Sequence, residues 1–172
     1  MRSSITDVAG LKLLTSSMPN LKEYHNKRDF NKTPEPKGTL KKKDFDRLSF
    51  VIQRHQARHL HYDMRLERDG VLKSWAVPKT PPCESGIKRL AVKTEDHPLQ
   101  YQDFEGEIPE GHYGAGKVEI WDKGSYVPVE WGDNLIVFEI KAKKLKGTYC
   151  LVKLKPKEQG DKNWLFFKKK AT

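Results

Sequence analysis

The sequence predicts a mainly β protein: a compact antiparallel β-barrel with a short N-terminal helix and an extended arm. Three observations carry that expectation. Leu60, Tyr62, Met64 and Leu66 alternate with His61, Asp63, Arg65 and Glu67, the period-two pattern of a strand with one packed face. Asp69-Gly70 then separates this run from the largely apolar residues 71–77, and Asp-Gly between two such runs is a strong hairpin signal. After Leu48, short apolar segments recur at regular spacing with turn residues between them. A barrel is preferred to a sandwich because closure removes exposed edges.

In chain order, Leu11, Leu14 and Met18 stand at helical spacing diluted by Ser, Thr and Gly, as in a short helix or a loose arm. Asn20 and Glu23 have capping-box spacing, predicting a helix that ends near Lys27 or Arg28. Residues 27–36 hold Pro34 and Pro36 and no periodicity, so they are extended or turned. By composition that stretch, like residues 37–43, reads as linker, although Phe30 would need cover. Strands are expected at 48–52, 60–66, 71–77 and 89–94, the last ending at Glu95-Asp96-His97-Pro98. Further strands are expected at 104–108, 117–121, 125–129, 135–140, 147–154 and 164–168. Pro78, Pro81 and Pro82 interrupt the sheet in a loop carrying Lys79. Gly111–Gly116 is a glycine-rich turn that lacks the Lys-Ser/Thr ending of a phosphate loop.

With 172 residues the chain has room for one domain and a real core. Residues 1–46 are expected to form the arm and short helix, partly over the site, and 47–172 the barrel. Apolar residues make up 36% and charged residues 33%, so the core is modest and the surface heavily solvated. A net charge of +10 favours a polyanionic partner, nucleic acid before an anionic membrane. Cys83 and Cys150 form no CxxC pair. This argues against a disulfide framework or a zinc cluster and for a reduced, cytoplasmic setting. No apolar run reaches membrane-spanning length, and no secretory signal is expected at the start. Nothing in the pattern demands more than a monomer.

The sharpest chemistry lies on the polar face of residues 60–67. A tight return from the run at 48–52 would swing His55 over His61 and Asp63. Two imidazoles and one carboxylate with positions left open suit a catalytic divalent metal such as Zn²⁺ or Mn²⁺, whereas a structural site usually fills all four positions. Arg65, on the same face, has the planar fork that grips phosphate oxygens. The bland reading is an exposed strand with a charged face. His97, beside Pro98 and near Tyr101, is suited to donate to a phosphoryl oxygen, although a lone histidine at a strand end is commonly incidental. Lys79 and Arg89 are two among 33 basic residues.

Several blocks, in order, give these residues a context. They are Lys27-Arg28-Asp29-Phe30, Thr33-Pro34-Glu35-Pro36, residues 50–67, residues 69–79, Arg89-Leu90-Ala91-Val92 to His97-Pro98-Leu99, residues 104–111 and Tyr113-Gly114-Ala115-Gly116. Together they resemble the phosphoesterase domain of bacterial and archaeal DNA ligase D. The resemblance implies a compact β-barrel enzyme that heals 3′ ends, removing a terminal ribonucleoside and a 3′-phosphate to leave a 3′-hydroxyl. It implies metal ligands at His55, His61 and Asp63, with Mn²⁺ first and Zn²⁺ or Co²⁺ as alternatives. Phosphate-contacting and catalytic residues then fall at Arg65, His97, Lys79, Arg89 and Tyr101, and the N-terminal Arg-Asp and downstream Glu at Arg28, Asp29 and Glu35. Either Asp29 or Glu35 would orient water or assist the leaving oxygen.

The implied partners are 3′ ends of DNA or RNA–DNA primer-templates, with a separate ligase or end-joining factor. The nearest text to a ligase's Lys-x-Asp-Gly is Glu67-Arg68-Asp69-Gly70, and glutamate cannot replace that lysine. His59, often arginine in the family, is a bystander or an extra ligand. The catalytic centre is expected at the mouth of the barrel. A second class of function fits the same charge. A non-catalytic OB-type barrel would bind nucleic acid by stacking on Trp75, Trp121, Trp131 and Trp164.

Overall fold

The computed structural model describes residues 20–38 and 48–171. Helical spacing at Leu11, Leu14 and Met18 therefore lies outside the described residues, as does most of the stretch at 37–43. A five-residue helix α1 (Lys22–Asn26) precedes nine strands. These are β1 (Leu48–Gln56), β2 (Leu60–Arg68), β3 (Val71–Val77), β4 (Lys88–Pro98), β5 (Gly106–Ile108), β6 (Gly116–Trp131), β7 (Leu135–Ala142), β8 (Lys146–Lys153) and β9 (Asn163–Lys168). A 3₁₀ turn (Leu99–Asp103) links β4 to β5. Eight strands run in the order β1-β2-β3-β4-β9-β8-β7-β6, and pairing of β6 with β1 closes an antiparallel barrel, with β5 added alongside β6. No described helix is long and apolar enough to cross a membrane.

The β2–β3 hairpin turns where Asp-Gly predicts, with Asp69 at φ 55° and Gly70 at φ 83°. Both positive values are what a two-residue I′ turn demands. Phe50, Ile52, Tyr62, Met64 and Leu66 point into the barrel, where Trp75, Phe138, Tyr149 and Phe166 fill the interior with them. Full burial of each such side chain contributes roughly 1.5–3 kcal/mol. Trp164 faces Trp75 in the same core, and Trp121 and Trp131 pack against its edge. The four tryptophans are thus engaged in the core or at its margin.

Three expectations are corrected here. Residues 117–121 and 125–129 are not two strands but parts of one 16-residue strand, β6. The Asp122-Lys123-Gly124 signal marks a bulge and a close approach, not a turn. Pairing shifts between Ile52 and Gln53 opposite Asp122 and Ile120, and a Cβ on Gly124 would lie 2.1 Å from the Lys141 carbonyl. The capping box is not formed. Asn20 Oδ1 accepts from Lys22 N–H at 2.8 Å, while Glu23 pairs with Lys27 one turn on at 3.0 Å. Residues 27–36 are not loose linker, because Asp29's carbonyl accepts from Lys32 and Thr33 and long-range ion pairs tie the segment down.

Asp122 supplies a test of the bulge. Its buried carboxylate accepts from the backbone N–H groups of Lys143, Lys144 and Leu145 at 2.9–3.1 Å, bracing the β7–β8 turn. Hydrogen bonds to a charged group are each worth about 1.5–3 kcal/mol, and the three bonds act as a unit. Asp122→Ala is expected to cost roughly 3 kcal/mol, lowering Tm by about 6–12 °C in a calorimetric scan. An unchanged Tm would show that the turn holds without it.

Candidate active site

The barrel interior is filled by apolar side chains, so the opposite face of β1 and β2 carries the polar groups outward. That face is not exposed. Residues 20–38, the 3₁₀ turn and β5 lie over it, and Tyr24, Leu72, Tyr101, Phe104, Ile108 and Val118 form a second apolar cluster there. The polar residues therefore sit between barrel wall and roof, around a cavity of about 310 Å³. This corrects the expected position at the barrel mouth. The site is on the outer wall.

β1 and β2 pair with His55 directly opposite His61, so the short return brings the two rings to 4.7 Å between centroids. Gly116 allows this end of the hairpin to pack against β6, since a Cβ there would lie 2.0 Å from the Gln56 carbonyl. His55 Nδ1 and His61 Nε2 each lie 3.3 Å from Asp63 Oδ2, and one donor atom from each residue falls within 4.8 Å of the others.

The outer nitrogens settle where the ring protons are. His55 Nε2 is 2.6 Å from the Gly114 carbonyl and His61 Nδ1 is 3.0 Å from the His59 carbonyl. A carbonyl only accepts, so each ring donates there, and in the neutral ring the inner nitrogen is a bare lone pair. With both rings neutral, two lone pairs and a carboxylate oxygen converge. Donors around one tetrahedral ion with bonds of roughly 2.0–2.2 Å stand about 3.4 Å apart, so the set fits a single divalent cation. Burial would raise Asp63's pKa, but hydrogen bonds to His55 and His61 and the charge of Arg65 outweigh it and hold the carboxyl well below its usual range. Burial works against protonation of His61, and the bond to Asp63 outweighs it, raising its pKa. His59 enters through its carbonyl oxygen.

Beside this triad sit two buried guanidinium groups. Arg65 donates from Nε to Gln53 Oε1 at 2.7 Å and from Nη1 to Ser74 Oγ at 2.9 Å, and its Cζ lies 4.7 Å from the Tyr101 ring centroid. Arg28 donates from Nε to Glu35 Oε2 at 2.8 Å and from Nη1 to the Tyr24 carbonyl at 3.1 Å and Glu95 Oε2 at 3.3 Å. It lies over the Tyr24 ring at 4.0 Å. Each guanidinium is fixed on an aromatic face with part of its fork occupied, which is pre-organisation rather than a free surface charge.

His97 lies between them, with Nδ1–H donating to the Glu95 carbonyl at 2.9 Å and Nε2 facing Arg28 Nη2 at 3.3 Å. Burial, then the charges of Arg65 and Arg28, push its pKa well below the usual histidine value. The ring is neutral and presents a lone pair at Nε2, so in this arrangement it accepts where a donor was expected. Tyr101 donates its hydroxyl to Glu35 at 2.7 Å, and burial raises its pKa.

The structure brings together His55, His61, Asp63, Arg65, His97, Tyr101 and Arg28 around one cavity. Glu35 stands behind it, accepting from Arg28, Thr33 and Tyr101. Asp29 is turned outward, its carboxylate accepting from the Asn31 N–H at 3.1 Å. Lys79 is exposed in the loop after β3, and Arg89 Nε donates to the Thr80 carbonyl at 2.8 Å; neither lines the cavity. Gln53, Ser74 and Glu95 were missed. Alternation offers a signal for two of them, since Gln53 is two residues before His55 and Glu95 two before His97, on the same strand faces.

The family model for the DNA ligase D 3′-phosphoesterase domain matches residues 53–153. The multifunctional non-homologous end joining protein LigD of Pseudomonas aeruginosa is 49% identical over 146 residues, covering 81% of this chain and 17% of that protein. The LigD protein of Mycobacterium bovis is 49% identical over 137 residues, 77% of this chain and 18% of its own length. That of Mycolicibacterium smegmatis is 47% identical over 156 residues, 84% of this chain and 20% of its own. The chain spans about a fifth of these relatives' length. On this match the chain belongs to the DNA ligase D 3′-phosphoesterase domain family.

Proposed function

We propose that this domain is a divalent-metal-dependent phosphoesterase that heals DNA 3′ ends. It removes a 3′-terminal ribonucleoside and a 3′-phosphate, leaving a 3′-hydroxyl for end joining. The observation that carries this reading is the convergence of one ligand atom each from His55, His61 and Asp63 beside two anchored guanidinium groups. Charge supports it. Arg28 and Arg65 balance Asp63 and Glu95 in the cavity lining, so a divalent cation adds what a phosphomonoester of charge about −1.5 to −2 requires. Both the names of the relatives and the basic surface support a setting in end joining on DNA or RNA–DNA primer ends.

A divalent cation held by His55, His61 and Asp63 would supply Lewis-acid polarisation of a phosphoryl oxygen, with Mn²⁺ the first choice and Zn²⁺ or Co²⁺ alternatives. Arg65 and Arg28 direct their remaining N–H groups at the phosphate's oxygens, where charge grows in the transition state. His97 Nε2, which faces Arg28 Nη2 at 3.3 Å, is freed as Arg28 turns to the phosphate and then accepts a hydrogen bond from the attacking water or a ribose hydroxyl. Tyr101 and Glu35 hold the two guanidinium groups in place, which makes Glu35 a positioning residue, and Asp29 shapes the turn that carries Arg28. Lys79 and Arg89 contact backbone phosphates outside the cavity.

The direct test is a template-annealed primer ending in a 3′-phosphate, incubated with Mn²⁺. Phosphate release and a newly extendable 3′-hydroxyl are expected, and excess chelator should stop both. Release at an undiminished rate in chelator would remove the metal from the mechanism. A shift in primer mobility with its end unchanged would leave only a binding module.

A further inference from the structure

The glycine-rich turn between β5 and β6 contributes Gly114's carbonyl to His55, and otherwise has no part in the chemistry above. It also carries Tyr113, which lines the cavity and yet is 48% exposed. Tyr101, the other tyrosine lining the cavity, is buried at 2%. Scattered exposed aromatics need no explanation, but this ring stands at the rim of the site. Lys27 Nζ lies 4.6 Å and Arg28 Cζ 5.4 Å from its centroid, and such cations hold an exposed ring in place.

Resting on the phosphoesterase reading, we infer that Tyr113 is the platform on which the nucleobase of the 3′-terminal nucleotide stacks. The 3′-phosphate and that base hang from one sugar. A phosphate drawn to Arg65 and Arg28 therefore brings its own base to the ring that touches Arg28. Stacking suits the task, because every base has a π-face and an end-healing enzyme meets all of them. The turn fixes the ring relative to the chemistry: Gly114, the next residue, is held to His55 Nε2 at 2.6 Å.

The test uses primers whose 3′-phosphate is borne either by 2-aminopurine nucleotide or by an abasic sugar. Rapid mixing of the wild-type protein with the first primer in Mn²⁺ should quench 2-aminopurine fluorescence before phosphate is released. Tyr113→Phe should retain the quench and Tyr113→Ala should lose it. Wild type should show a KM roughly tenfold lower for the base-bearing than for the abasic end, and Tyr113→Ala should lose that preference. An intact quench and preference in Tyr113→Ala would overturn the platform. So would an equal loss on both primers, which would mean that the ring acts only by holding Lys27 and Arg28. Wild-type protein that releases no phosphate from either primer would instead defeat the phosphoesterase reading, and the platform with it.

Discussion

His61→Ala is expected to reduce metal-dependent phosphate release by more than about 100-fold while leaving the fold intact. Even groups that merely orient a metal ligand cost 10–100-fold when removed, and His61 is one of three protein donors at this site among the described residues. The fold should tolerate the change because the ring lies outside the barrel interior. Its side chain is 24% exposed and its contacts are polar, to the His59 carbonyl and to Asp63. Loss of the bond leaves the buried Asp63 carboxylate with one partner fewer, at a cost of about 1–3 kcal/mol, so Tm should fall by roughly 2–12 °C with the barrel still formed. Wild-type turnover in this variant would remove His61 from the ligand set.

Arg65→Lys keeps the charge and should still lower kcat by roughly 10²–10³-fold, the usual cost of removing an aimed donor from a site of developing charge. Arg65 uses separate nitrogens for Gln53 and Ser74 and approaches Asp63 with Nη2 at 3.6 Å. An ammonium cannot serve both partners and also present a planar pair of N–H groups to a phosphate. The unmet buried acceptors should cost roughly 1–3 kcal/mol of stability, so turnover is best compared well below the melting range of both proteins. Near-normal kcat would mean that Arg65 supplies only charge.

Much of this was legible in the sequence because strands repeat every two residues. Alternation from Leu60 to Glu67 sorted Tyr62, Met64 and Leu66 into the core and His61, Asp63 and Arg65 onto one face. The Asp69-Gly70 turn set the register of β2 against β3. The same periodicity carries no information about a second covering layer. A wall residue such as Asp63 or Glu67 reads as solvent-facing unless the roof is known, and here both are buried. Residues 27–36 form that roof without any local period. They are held by contacts of long sequence separation, Arg28 with Glu95 and Tyr101 with Glu35, which only the family resemblance could anticipate. The role of His97 was opaque for a related reason, since its tautomer depends on its bond to the Glu95 carbonyl. In β6, Asp122 and Gly124 imitate a turn because a bulge and a close approach of the neighbouring β7 backbone favour the same residue types.

Titration of metal-free protein with Mn²⁺, followed by loss of the free ion's electron paramagnetic resonance signal, tests the core claim most directly. Wild type should take up one ion per chain, and His61→Ala none over the same concentration range. Equal uptake by the two proteins, or no uptake by a wild-type protein that still releases phosphate, would contradict it.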